Sequence, residues 1–167
     1  MGFVLCVAGF ASALVLVGAV FGRPAVVLNT TPSEPLGLYA LVGGSPAVGQ
    51  LVSFKTPPTA FPYADRRLGY LRRTTLLKGV AAGPGDFVCT SSGRLRINGR
   101  DLAPVARVDS AGVALPRWIG CRRLGPDEFF AFSDRRSNSF DSRYFGPVDR
   151  SAIVGVYTPL LAGRGGG

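Results

Sequence analysis

Histidine is missing from this 167-residue chain, lysine occurs only as Lys55 and Lys78 among 19 basic side chains, and no charged side chain falls between Gly2 and Gly22. Without imidazole, nucleophilic schemes built on a Ser-His-Asp or Cys-His pair are excluded, as are His-ligated zinc sites. An arginine keeps its proton in a protein, whereas a lysine in apolar surroundings shifts toward neutrality, so only Lys55 and Lys78 could supply a basic amine. Lys55 follows the strand-like Leu51-Val52-Ser53-Phe54 and precedes Thr56-Pro57-Pro58, which reads as a solvated strand end. Lys78 stands inside the apolar run Leu76-Leu77-Lys78-Gly79-Val80-Ala81-Ala82. Two readings of it stay open: the activating base of a serine, or a structural lysine whose stem covers a strand edge while its head reaches water.

Acidic side chains are few as well, 10 against the 19 basic ones, for a net charge of +9. That excess invites a nucleic-acid reading. The arginines are scattered, however, in pairs such as Arg66-Arg67, Arg72-Arg73, Arg122-Arg123 and Arg135-Arg136, without zinc spacing, an aromatic RNA-binding motif or a helix-turn-helix. A solvated basic surface, resting against anionic lipid headgroups, accounts for them better, and no nucleic acid is expected as a partner.

The uncharged run of residues 2–22 would reach roughly 31 Å as a helix, about the hydrocarbon thickness of a bilayer. A cleaved secretory signal is the rival reading, with Val20-Phe21-Gly22 as a weak exit site, but the run lacks a basic leader and is longer than such signals usually are. The expectation is an uncleaved transmembrane anchor over residues 1–22. Arg23, the basic residue beside the span, taken alone favours a cytoplasmic domain. The remaining length suffices for one domain with a core of its own, over residues 23–163, followed by a flexible glycine-rich tail at 164–167.

Within that domain the punctuation is that of strands and turns. Residues 49–54, 127–132 and 151–157 read as strands, Leu95 to Leu102 as a hairpin with an Asn98-Gly99 tip, and Asp109-Ser110-Ala111-Gly112 as a turn. Gly83-Pro84-Gly85-Asp86 reads as a turn feeding Phe87-Val88 into a strand, and one short helix is expected over residues 64–71. The fold class is mainly β.

Three segments carry a family resemblance. Thr31-Pro32-Ser33-Glu34-Pro35-Leu36-Gly37-Leu38-Tyr39 resembles the nucleophile box of type I signal peptidases (peptidase family S26), in the Ser-x-Pro-x-Gly-x-Tyr form of the conjugative-transfer, TraF-type branch. The run from Leu77 to Asp86 resembles the lysine box, and Ser137-Asn138-Ser139-Phe140-Asp141-Ser142-Arg143-Tyr144-Phe145-Gly146-Pro147 the late Asp-Ser-Arg box. The order of the three boxes behind one apolar span covers nearly the whole chain. Two positions depart from the pattern: Gln50 stands where an Asp is frequent, and Gly79 where a basic residue often follows the lysine.

The resemblance implies a complex β fold of the signal-peptidase, LexA-like type behind one transmembrane helix. It also implies roles: Ser33 as nucleophile, Lys78 as general base, and Thr31 with the Ser33 N–H as oxyanion donors. Ser139 would orient the lysine amine, and Asp141 with Arg143 would brace the loop. Read without the family, Ser33 is a loop serine, Thr31 and Ser139 make local turn bonds, and Asp141 and Arg143 form a structural ion pair. The implied activity is removal of leader peptides from secreted or pilin-like precursors, with small side chains at the first and third positions before the cut. No metal or cofactor is implied. The family further implies a periplasmic domain on the inner membrane, against the single charge of Arg23. In that oxidising compartment Cys89 and Cys121 could pair, two buried thiols being the alternative. Two other classes stay open, a catalytically silent tethered β-domain that binds a secretion or conjugation partner, and a Ser-Lys autoprotease of the LexA-like kind.

Overall fold

The computed structural model describes residues 22–163; the expected anchor, apart from its last residue, and the glycine-rich tail lie outside the described residues. Among the described residues, no helix is long and apolar enough to cross a membrane. Eleven strands among the described residues, all antiparallel in their pairings, form two sheets.

The larger sheet has the order β1 (Val26–Asn29), β2 (Gly37–Val42), β11 (Ile153–Ala162), β3 (Leu51–Lys55), β4 (Thr75–Ala82), β9 (Glu128–Phe132) and β10 (Val148–Asp149). The smaller has the order β7 (Arg100–Pro104), β6 (Arg94–Ile97), β5 (Phe87–Ser91) and β8 (Gly120–Arg123). Period-two alternation sets the inward faces. In β4, Leu76, Lys78, Val80 and Ala82 are buried on one face. Leu76 and Val80 join Val52 and Phe54 of β3, Phe129 and Ala131 of β9 and Phe145 in the main core, with Phe54 edge-on to Phe129 at 5.3 Å. A second core under the smaller sheet gathers Val88, Leu95, Ile97, Leu124 and Phe130.

The hairpin expected at Asn98-Gly99 forms between β6 and β7, with φ of 50° and 79° at its tip. Gly85, at φ 83°, closes the turn that launches β5. Asp109 holds its turn by accepting from the Ala111 and Val113 N–H groups at 2.9 Å. The helix expected over residues 64–71 is shorter: α1 (Tyr63–Arg67) stops at Leu68, whose φ of −137° is not helical, and a 3-10 turn over Gly69–Arg72 follows. Lys55 is exposed at the end of β3. Cys89 and Cys121 face one another in the β5/β8 register, and a disulfide joins them.

Candidate active site

The loop between β1 and β2 is organised by one side chain. Asn29 ends β1, and its Nδ2 donates to the carbonyls of Thr31, Glu34 and Pro35 at 2.9 to 3.0 Å while its Oδ1 accepts from the Thr31 N–H at 3.2 Å and Thr31 Oγ1 at 3.0 Å. An Asx side chain that satisfies its own following turn fixes the backbone where prolines have removed N–H donors. Tyr39 anchors the far side, its hydroxyl donating to the Pro35 carbonyl at 2.6 Å. Gly37 then enters β2 at φ 142°, where a Cβ would lie 2.0 Å from the Leu161 carbonyl oxygen, so glycine is required at this crossing of β2 and β11. The loop presents Ser33 with its Oγ 3.4 Å from Thr31 Oγ1.

Lys78 comes from the middle of β4, a central strand flanked by β3 and β9, and not from a sheet edge. Alternation turns it to the same face as Leu76 and Val80, and only 3% of it is exposed. Burial disfavours the ammonium and pulls its pKa from 10.5 to about 8; the Asp141 and Glu34 carboxylates work against that shift, and the Arg143 guanidinium adds to it. Ser33, Thr31, Lys78 and Ser139 all line one cleft of about 330 Å³, whose apolar walls include Val27, Leu68, Leu71, Leu76 and Phe140. Among the described residues no direct hydrogen bond joins Lys78 to Ser33, as is common before substrate excludes water from a dyad.

The late box forms the third wall. Asp141 caps the one-turn helix α2 (Ser142–Phe145) by accepting from the Arg143 N–H at 3.2 Å. Its carboxylate also takes a two-pronged ion pair from Arg143, at 2.8 and 2.9 Å. The guanidinium reaches on to the Ser139 carbonyl at 3.0 Å and the Pro104 carbonyl at 3.2 Å, so it braces the box from within and ties it to β7 of the smaller sheet. Both members of the pair are fully buried, a geometry in which loss of one partner strands the other charge. The Ser139 hydroxyl, expected to orient the lysine amine, is buried at the cleft wall with no hydrogen-bond partner, Lys78 included; its backbone is engaged instead, the carbonyl by Arg143 at 3.0 Å and the N–H by the Arg136 carbonyl at 3.1 Å.

Asn29, Glu34 and Ser133 were not singled out by sequence. Asn29 at a strand end before a Pro-rich turn carries an Asx-turn signal that could have been read. Ser133 carries none, because its contacts depend on the pairing of β4 with β9.

A profile of the family described as signal peptidase, peptidase S26, matches residues 1–161. The plasmid transfer protein TraF of Escherichia coli is 36% identical over 164 residues, covering 92% of each chain. The conjugal transfer protein TraF of Agrobacterium tumefaciens (strain 15955) is 39% identical over 147 residues, covering 80% of this chain and 81% of that one. Among solved structures, a signal peptidase I from Enterococcus faecalis V583 superposes with a TM-score of 0.42 at 20% identity, over 70% of this chain and 100% of its own.

Proposed function

The chain belongs to the signal peptidase family, peptidase S26, and from that membership we propose that it is a membrane-anchored serine endopeptidase in which Lys78 activates Ser33. The observation that carries the reading is the meeting of a loop hydroxyl with a buried, weakened amine in one cleft. Neutral Lys78 takes the Ser33 proton as Oγ attacks the scissile carbonyl carbon. The oxyanion is held by the Ser33 N–H and by Thr31 Oγ1, which turns from Asn29 to donate. The lysine then protonates the leaving amine as the C–N bond breaks, and later draws a proton from the water that releases the acyl group.

The apolar cleft suits an extended precursor with small side chains before the cut. Relatives named for plasmid and conjugal transfer favour pilin-like precursors as the substrate. The uncharged run of residues 2–22 supports an anchor over residues 1–22, from which the domain would stand on the periplasmic face of the inner membrane. The Cys89–Cys121 disulfide accords with an oxidising compartment. An acyl-enzyme also accepts an amine in place of water, in which case the product is a ring one water lighter than the hydrolysed chain.

The test is incubation of the detergent-solubilised full chain with a pilin-like precursor, the products being weighed by mass spectrometry. Cleavage after a small-x-small sequence is expected. A precursor left intact by this protein, though cut by a leader peptidase of known activity, would refute the proposal. Thr31→Val, which removes one oxyanion donor and keeps the volume, should lower the turnover about 10²-fold. Thr31→Ala should be no worse, and initial rates at saturating precursor check both.

A further inference from the structure

Beneath the cleft lies a group that the Ser-Lys scheme does not use. Glu34 follows the nucleophile directly, yet its side chain turns inward and only 7% of it is exposed. A buried carboxylate is costly unless a partner faces it. Burial raises the pKa of its carboxyl; the positive charge of Lys78 works against that rise, as do the nearby Ser133 side chain, Arg135 and the Gly79 backbone, while Tyr39 shares its surroundings.

Ser133 links the three boxes. The β4/β9 register pairs Val80 with Ala131 and Gly79 with Phe132, so its continuation sets Ser133 opposite Lys78, on the same face. The Ser133 hydroxyl donates to the Ser33 carbonyl, and its N–H donates to Asp141 Oδ2 at 3.4 Å. One buried serine thus touches the nucleophile loop and the Asp-Ser-Arg box, and stands across from the lysine.

We propose that Ser133 and Glu34 are positioning residues of this site: Ser133 docks the nucleophile loop onto the lysine strand, and Glu34 sets a second carboxylate beside the Lys78 amine. The proposal rests on the Ser-Lys reading above. The charged groups that face Lys78 are then Glu34 from the nucleophile loop, and Asp141 with Arg143 from the late box. Glu34 favours the ammonium, so it holds the working pH of the base higher than burial alone would leave it. Removing its charge makes the amine neutral at lower pH.

The experiment is a pair of pH–rate profiles on the full chain with a precursor substrate. Glu34→Gln, which keeps shape and loses charge, should move the acid limb of kcat to lower pH; a purely structural Glu34 would change the amplitude and leave the midpoint where it is. Ser133→Ala should lower kcat about 10- to 100-fold with KM little changed. An unmoved midpoint in Glu34→Gln overturns the role of Glu34, and a kcat within about twofold of wild type in Ser133→Ala overturns that of Ser133. Should Ser133→Ala lose its fold, the Glu34→Gln midpoint decides alone. Lys78→Arg in the same assay separates the two levels of inference: its turnover would sink the Ser-Lys scheme itself, whereas its inactivity beside an unshifted Glu34→Gln sinks only this proposal.

Discussion

Lys78→Arg is expected to leave no measurable cleavage from about pH 6 to about pH 10, a loss of about 10⁴-fold or more, because a guanidinium cannot accept the Ser33 proton at any of these values. The substitution separates chemistry from charge. Were Lys78 a structural cation paired with Glu34 or Asp141, arginine would serve nearly as well. The site is tight, with 3% of the lysine exposed, so a bulkier permanent charge also strains the fold. Lys78→Met covers that case: it carries no charge to bury, should melt no lower than the wild type at neutral pH, and should be equally inactive. In the wild type the rate should rise with pH through about 8, since the neutral form is the base and burial has brought the amine there from 10.5. Before substrate binds, roughly a tenth of the amine is neutral at pH 7, and exclusion of water by the precursor enlarges that share. Initial rates across the range, with melting curves alongside, check each part.

Ser33→Ala should be as severe, about 10⁶-fold in kcat if the hydroxyl is the nucleophile of an intact dyad. The fold should hardly notice. The loop is fixed by Asn29, by the Tyr39 hydroxyl on Pro35 and by the Ser133 hydroxyl on the Ser33 carbonyl, and none of these needs Ser33 Oγ. A half-exposed hydroxyl with Thr31 Oγ1 as its neighbour contributes little to stability. Unchanged melting with lost turnover is therefore the expected pair of results. Turnover near the wild-type rate in Ser33→Ala would remove the serine-peptidase reading.

The buried, inward place of Lys78 is legible because composition isolates it. With histidine absent and lysine scarce, the choice of base falls on one position in an apolar run, and the period of two in β4 explains why that position faces inward. What sequence left open was whether the strand lies at an edge, and that is settled by pairing partners about 25 and 55 residues away in the chain, in β3 and β9. The same reason hid Ser133. Its neighbours, Phe132 and Asp134, say only that a strand is ending, and its place opposite Lys78 exists only once β4 and β9 are in register. Glu34 was hidden differently: between Ser33 and Pro35 it looks like a solvated loop carboxylate, and only the backbone of the Asn29 turn sends it inward. The pattern of apolar and polar residues over 64–71 spans both a short helix and the 3-10 turn after it, and it carries no mark of the break at Leu68, where the backbone leaves the helical region.

The strand order of the larger sheet carries a consequence for the site. β2 and β3 are near neighbours in sequence, yet they do not pair; the last strand, β11, lies between them and bonds to both. The hairpin that carries Ser33 and the strand that carries Lys78 therefore belong to two halves of the sheet that are joined through β11. A chain that ends before β11 holds Ser33, Lys78, Ser139 and Asp141 but lacks the strand that bridges their two halves of the sheet. The alignment of Ser33 with Lys78 therefore hangs on residues far from both in the chain, and a truncation before Ile153 should undo it while leaving all three boxes in place.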